Sequence, residues 1–591
     1  MAIENSLDIR EKEVILSRAD EMLRGLFRFE GVWDMEPCPV PIDNRKLSWD
    51  VTYNGDPEWT YMFVRMDYLY VLALASAITG RKEYYRFGLK IISRWYRDNS
   101  MYLKGGTLNV LRRKLFKGNS LGHRTLDVSI MASNVVDYVA YGVEHGLLKQ
   151  SESSSYYRIT KDVTDYVLRH SDGDRKAFSN WGIQENGNIV YCLLKTGNDK
   201  KLREASSRLM RQVYNQILSD GSHIESSPMY LVEILLILLK ILSIPECPFR
   251  EELIVPVKKG CAYIRDIRTL KNRIPALGDS DRTDISDLML IASHVLRCDD
   301  FKCYANRQLD AEFCYKYHME RCPLQENVTG DGMEQISFLH QVVLRSVKDG
   351  SYLLCSNTPR TQDGHKHYDY MSVLYSEFGK DVLIDVGRYS YKGDDERRRF
   401  CKGPSGHNTI AVSDDLFYKY ITGFVTRERI DCLENRVWQG DGWLSVRMQC
   451  VLGYSELMIS RYVTYVYSAG LLVTDMIQNN TSASYQYRTF FNIGQDFAAR
   501  KNEECISLTD EAGNSLTYRN DMSVPVDIVP VQYSPRYNEL LPSVQMVIKT
   551  DVERITHSFL RNTEKACITY GENTIGYDIP ESGLHINVPL D

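Results

Sequence analysis

The sequence has no apolar run long enough to cross a membrane. Its longest, from Tyr230 to Pro245, is interrupted by Glu233 and Lys240 and falls short of the ~20 residues a spanning helix needs. The N-terminus is punctuated by charge from Glu4 onward and lacks the apolar core of a secretory signal, so a cytoplasmic protein is expected. Excess positive charge is lacking too. The formal net charge of −6 argues against a nucleic-acid binder but leaves room for a local basic cleft holding an anionic sugar. None of the 14 cysteines forms a CxxC pair; in a reducing compartment they read as small buried apolar residues, not a disulfide framework. A Walker loop, a dinucleotide fingerprint after a strand and a GxSxG elbow are all missing, and no organic cofactor is expected. What remains is an ordinary globular composition, 43% hydrophobic and 25% charged. A chain of 591 residues is too long for one hydrophobic core, so two or more domains are expected.

The first half reads as helices. From Trp59 to Ile78 apolar residues recur at three- and four-residue spacing, as in a buried helix, ending at Thr79-Gly80, where glycine can supply a left-handed cap. The amphipathic segment KEYYRFGLKIISRWYRD follows. The same grammar returns at Asn188 to Lys195, then Thr196-Gly197, then KKLREASSRLMRQVYNQIL. Two helix–Thr-Gly–helix units suggest a repeated helical hairpin, the unit of toroids and solenoids, although glycine after a helix is common enough to recur by chance. Past Cys322 the segments QVVLRSV, SYLLCSN, WLSVRMQCVLGY, ISRYVTYVYS and GLLVTDMIQ are short, β-branched and aromatic, with Gly, Asp and Asn between them, the signature of a large antiparallel β domain. The boundary is expected near residues 320–335, giving a helical domain at 1–325 and a β domain at 326–591. Clefts between domains are favoured binding sites.

Four polar clusters stand out. Gly364-His365-Lys366-His367-Tyr368-Asp369 would, as a strand, put His365 and His367 on one face; with Asp385 and His407 downstream, His367 completes a plausible zinc set of two nitrogens and one oxygen. The spacing is no local zinc motif, and histidines hydrogen-bonded in a sheet core would read the same. Asp220 to Tyr230 precedes a long apolar helix, with Pro228 in its first turn and Tyr230 near the positive end of the helix dipole, which favours a phenolate. Such a tyrosine can accept and donate a proton, though this one is among 39, most of which must simply pack. Ser179 to Asn188 is rich in amides, and Asn180 is either an N-cap or a donor to a substrate carboxylate. In Gly122 to Asp127, Arg124 could grip an acidic sugar bidentately or pair with Asp127.

Taken in order, SNW at 179–181, DGSHIESSPMY at 220–230, PALGDSD at 275–281, GHKHYDYMSVLYSEFGKDVLIDVGRYSY at 364–391 and RRRF…GHNTIAV at 397–412 resemble the heparinase II/III-like polysaccharide lyases, whose blocks run HGHxD, a strand ending in a turn, then HNT. The resemblance covers roughly residues 120–415. It implies an α+β multidomain architecture: an N-terminal incomplete α/α toroid followed by a C-terminal antiparallel β-sandwich. It also implies β-elimination on a uronic-acid-containing glycosaminoglycan, of heparin, heparan sulfate, hyaluronan or chondroitin type, giving a 4,5-unsaturated uronosyl product. By similarity Asn180, assisted by His365, would neutralise the uronate carboxylate; Tyr230 would take the C5 proton and return it to the glycosidic oxygen. Zinc, where the family holds it, is structural, and His367, Asp385 and His407 fall on its positions. Arg124, Trp181, Glu225, Tyr389 and Arg399 are the candidate substrate contacts. Trp181 stands where many members have His, which removes an imidazole and bears on the C5 stereochemistry handled; Val386 replaces a common proline.

Other readings carry their own signatures. An alginate-like polyuronate is a second substrate within the same chemistry. A toroid glycoside hydrolase needs two opposed carboxylates, for which Glu225 and Asp279 are the candidates. A non-catalytic glycan-binding protein could keep the fold without the chemistry, against which Tyr230, His365 and His407 stand together. An anionic uronate polymer or oligosaccharide is the expected partner, with no nucleic acid and no membrane; oligomeric state is not legible.

Overall fold

The computed structural model describes residues 3–53, 55–104, 120–171, 174–321, 323–324, 332–359, 364–412, 430–452, 457–467, 469–561 and 564–590. Half of the expected domain junction at 320–335 lies outside the described residues. The chain forms two compact units. One comprises Met1–Ile224, Met229–Arg265 and Thr283–Val328; the other comprises Glu225–Pro228, Asp266–Arg282 and Thr329–Asp591.

The first unit is helical. Among its helices are Lys82–Leu103, Thr125–Glu144, Gln150–His170, Asn180–Thr196, Asp199–Gln216 and Pro228–Leu242. Neighbours in sequence pack against each other, as short connections dictate. Both Thr-Gly junctions behave as the sequence suggests: Gly80 is left-handed at φ +70° with its N–H on Ser76 O, and Gly197 has φ +73° with its N–H on Leu193 O. One expectation is corrected. Trp59 to Ile78 is two helices, Glu58–Arg65 and Leu69–Thr79, bent by 46°. The break falls at Met66, left-handed at φ +59°, and the apolar run hides it because residues on both sides of the bend are buried. No single described helix is long and apolar enough to cross a membrane.

The second unit is antiparallel β. In one sheet Trp443–Leu452 pairs with Leu457–Val466 and that with Gly470–Asn479, in unbroken ten-residue register. Gly470–Asn479 then pairs with Arg554–Arg561, far along the chain. In the other sheet Gln341–Ser346, Ser351–Ser356, Ser372–Glu377 and Lys380–Leu383 run in order, and Lys380–Leu383 neighbours Tyr487–Ile493. Inward residues of both sheets, such as Val342, Leu353, Val446 and Val473, share one hydrophobic core, the arrangement of a β-sandwich. Arg461 and Asp475 sit opposite each other inside it as a bidentate ion pair at 2.7 and 2.8 Å. Arg461 also donates to the carbonyls of Met371 and Asn408, so its charge and hydrogens are used.

Candidate active site

In the β unit the chemistry gathers on one carboxylate. Asp279 is fully buried. Its Oδ2 accepts from His365 Nδ1 at 2.8 Å and from Arg398 Nη2 at 3.0 Å; its Oδ1 accepts from His367 Nε2 at 2.7 Å and from Arg398 Nη1. Burial works against ionising Asp279, but Arg398, His367 and the two imidazole hydrogen bonds outweigh it and hold the carboxyl well below the usual carboxylate range. An ionised Asp279 can only accept, so His365 donates through Nδ1 and, when neutral, keeps its lone pair on Nε2. A carboxylate that fixes an imidazole tautomer and ring plane in this way prepares it for proton or hydrogen-bond chemistry.

The backbone around this carboxylate is built for it. Asp279 N donates to His365 O at 3.0 Å, and Ser227 Oγ donates to Asp279 O at 3.1 Å. Gly278 has φ +53°, and a Cβ there would lie 2.7 Å from His365 O, so only glycine lets the two segments meet. His365 and His367 do not lie in a strand, as the alternation argument supposed. They occupy the loop before Ser372–Glu377, and it is Asp279, not the pleat, that brings both imidazoles together. His407 follows a short 3-10 turn, Pro404–Gly406. Its neighbour Asn408 fastens the loop: Nδ2 donates to Val373 O and Ile384 O at 2.7 and 3.0 Å, and Oδ1 accepts from Asn492 N at 2.7 Å.

The zinc expectation meets a mixed donor set. His367 Nδ1 and His407 Nε2 are buried with no hydrogen-bond partner among the described residues, and the two rings lie 5.4 Å apart. Burial pushes His367 down to about 3, so its imidazole is neutral, as a ligand must be. Asp385 is engaged elsewhere, Oδ2 accepting from His407 Nδ1 at 2.6 Å and Oδ1 from Gly387 N at 2.9 Å. It stands behind an imidazole as carboxylates do in metal sites. No three His, Cys, Asp or Glu side chains among the described residues gather closely enough to hold one ion. Two imidazoles fit a metal; the third ligand does not.

In the helical unit Ser179 is the N-cap, accepting from Trp181 N, and Asn180 is the first helical residue. The N-cap alternative for Asn180 is therefore excluded. Asn180 is buried, as are Gln184 and Asn188 on later turns. Gln184 Nε2 donates to Glu233 O at 2.8 Å; Asn188 donates to Gln184 O at 2.8 Å and accepts from Ser133 Oγ at 2.7 Å. Asn188 is thus committed to the core. Tyr230 is buried as the third residue of Pro228–Leu242, and Pro228 opens that helix as expected. Arg124 pairs with Asp127, Nη2 to Oδ1 at 3.0 Å, and lies 3.4 Å from the Tyr61 ring centroid and 5.0 Å from that of Trp181. Arg65 shares Asp127 at 2.9 Å, so the pairing alternative describes Arg124. Nearby, burial pushes the Glu58 carboxyl up to about 8 despite Arg124.

The remaining candidates scatter. Glu225 is fully buried in the β unit. Tyr389 is partly buried, left-handed at φ +56°, with the Arg397 guanidinium 4.5 Å from its ring centre. Arg399 is exposed and donates to Asp394 O at 3.2 Å; the arginine that reaches the centre is Arg398. Sequence reasoning did not assign Asp279 or Arg398 to this chemistry, although both lie in or beside the quoted PALGDSD and RRRF blocks.

An α/α helical unit and an antiparallel sandwich carrying an imidazole locked on a buried carboxylate define the fold class of toroid-type polysaccharide lyases. The chain belongs to the heparinase II/III family: the description Heparinase II/III N-terminus matches residues 6–295, and Heparinase II/III-like, C-terminal matches residues 339–570. Its fold is shared with a crystal structure of heparinase III (15% identity, 100% of this chain and 92% of that one, TM-score 0.76). A mutant heparan sulfate lyase from Pedobacter heparinus is also similar (16%, 99% and 90%, TM-score 0.65). So is the chondroitin AC lyase of Streptomyces coelicolor A3 in complex with chondroitin sulphate (10%, 98% and 84%, TM-score 0.52). None of the curated proteins matches the sequence.

Proposed function

We infer that the protein is a glycosaminoglycan lyase, a carbon–oxygen lyase that cleaves a uronate-containing polysaccharide by β-elimination. Family membership along both units carries the reading, and the His365–Asp279–Arg398 cluster supplies residues suited to it. In this reaction the C5 proton leaves, the C4–O bond breaks, and the electron pair becomes the C4–C5 double bond. The leaving oxygen takes a proton. Asn180 is assigned to the uronate carboxylate, together with His365 as an imidazolium that gives Nδ1–H to Asp279 and Nε2–H to the substrate; negative charge grows there in the transition state, and hydrogen-bond donors act most strongly. Tyr230 is assigned to the C5 proton and its return to the glycosidic oxygen; its place in the first turn of Pro228–Leu242 favours the phenolate. A screen of defined uronate polymers for ultraviolet-absorbing 4,5-unsaturated product tests the function, and absence of product from every glycosaminoglycan and alginate would reject it. Tyr230→Phe tests the assignment: kcat is expected to fall at least ~10²-fold with little change in folding, and near-full turnover would remove Tyr230.

A hydrolase built on Glu225 and Asp279 finds no support in Asp279, which is held ionised among Arg398 and two imidazoles and so cannot act as a general acid. Zinc is carried as a separate proposal. The unpartnered nitrogens of His367 and His407 support a structural ion held by those two side chains, with Asp385 orienting His407, and no step of the reaction runs through it. A sulfated or unsulfated glycosaminoglycan is the proposed partner, and the cytoplasm the proposed location.

A further inference from the structure

In the helical unit, helix Gln150–His170, the end of helix Asn180–Thr196 and the start of helix Asp199–Gln216 enclose a pocket of about 390 Å³. Lys161, Lys195 and Lys201 all line it, and no carboxylate does. Lys161 and Lys201 share one counter-charge, Asp165, which Lys161 meets at 3.1 Å. Lys195 has no carboxylate partner among the described residues and lies 5.7 Å from the centre of the Tyr191 ring. Three ammonium groups therefore meet a single carboxylate. The hydroxyls of Thr160, Thr164 and Thr196 already donate to carbonyls of their own helices. Beside Tyr157 and Asn198, which also line the pocket, its remaining donors are the lysines, each with hydrogens to give and none able to accept. A neutral sugar would gain no charge-assisted contact there, whereas a sulfate or carboxylate group would draw on the hydrogens of three lysines, two of which share Asp165. In a chain of net charge −6 such a cluster is a local exception.

We propose that this pocket is an exosite for anionic groups of a glycosaminoglycan chain, separate from the catalytic residues. Lys195 is fifteen residues beyond Asn180 on one helix, roughly 22 Å along its axis, farther than a disaccharide reaches. The site therefore grips long polymer and ignores short oligosaccharides. The identity of the polymer rests on the reading given under Proposed function; the preference for an anion does not. A built exosite of this kind raises the local concentration of chain and lowers KM without touching kcat, since it binds ground state and transition state alike.

The test is the triple variant Lys161→Gln/Lys195→Gln/Lys201→Gln, beside a control of equal charge change, Lys348→Gln/Lys549→Gln/Lys565→Gln, at exposed positions of the β unit. For heparan sulfate polymer, KM is expected to rise roughly tenfold in the pocket variant, the sum of three solvent-exposed ion pairs, with kcat unchanged. For a tetrasaccharide neither constant moves. Elution from immobilised heparan sulfate, which needs no turnover, should shift to lower salt in the pocket variant and much less in the control. Equal shifts in pocket and control variants would overturn the proposal, as would an unchanged pocket variant. Inorganic sulfate bound as tightly as the polymer would reduce the pocket to a small-anion site and overturn it as well. Should the wild type yield no unsaturated product, the elution comparison still decides the exosite while the lyase reading falls.

Discussion

Removing the Asp279 charge is the sharpest perturbation the structure offers. Asp279→Asn keeps the volume but leaves the fully buried Arg398 without its bidentate counter-ion. Breaking one partner of a buried pair costs about 3–5 kcal/mol. At ~2–4 °C per kcal/mol for a unit of this size, the transition of the β unit should fall by about 6–20 °C in differential scanning calorimetry. Arg398→Met added to Asp279→Asn removes the orphaned cation and should recover part of that loss. The two changes share one cluster, and a coupling of about 0.5–3 kcal/mol is expected. Activity gives an independent readout. Without a carboxylate on Nδ1 the His365 ring loses both tautomer and orientation, so kcat should fall by about 10²-fold or more even at temperatures where the variant is folded. A variant within about 1 kcal/mol of wild-type stability and within about threefold of its kcat would refute the reasoning, because neither the ion pair nor the positioning could then matter.

Three further outcomes follow from particular contacts. Asn180→Ala should lower kcat by about 10²–10³, the scale of one lost transition-state donor, whereas Asn188→Ala, which removes a core hydrogen bond to Ser133, should lower stability by ~1 kcal/mol and spare kcat; the reverse pattern would move the neutralising role to Asn188. Zinc should copurify with the protein at about one ion per chain and be lost in His367→Ala/His407→Ala, and metal analysis of a zinc-replete preparation that finds none would end that proposal. His557 has its folded value lowered to about 4, chiefly by burial, with Asp475 opposing. The unfolded state then binds the extra proton, so its contribution is full above pH ~6.5 and is lost as pH falls toward 4, by about 3 kcal/mol. Denaturant midpoints at pH 7 and 4.5 should therefore differ less in His557→Gln than in wild type, and identical differences would contradict the assignment.

The sequence made the large features legible because helices depend on periodicity and strands on β-branched and aromatic content between turn residues. β-Branched and aromatic segments such as Trp443–Leu452 and the glycine caps after Thr79 and Thr196 appear in the structure as read. The break at Met66 was not legible, since burial on both sides removes the polar face that marks a helix end. At the site, residue types were readable and their phases were not. Three successive arginines, 397–399, lie on helix Glu396–Lys402, where neighbours point about 100° apart; only the middle one is buried on Asp279, and nothing local singles it out. Asp279 is 86 residues from His365 and 119 from Arg398, a proximity that no spacing argument supplies. Asp385 was the right residue type for a ligand, yet the hydrogen it accepts from His407 is a tertiary fact.

The long-range pairing of the β unit also sets the order in which this enzyme can come into being. Gly470–Asn479 waits for Arg554–Arg561, and Lys380–Leu383 for Tyr487–Ile493, so the sandwich closes only when almost the whole chain has been synthesised. Contacts of such sequence separation fold slowly because loop closure precedes any reward. The helical segments emerge first and depend on nearer neighbours, but Asp266–Arg282, with Asp279 inside it, belongs to the late unit. On the ribosome that carboxylate must stay hydrated for the time it takes to make the following 119 residues up to Arg398. Truncations that spare the helices should accordingly yield a folded but chemically silent half, and a nascent chain stalled before residue 554 should be a substrate for chaperones rather than for glycans.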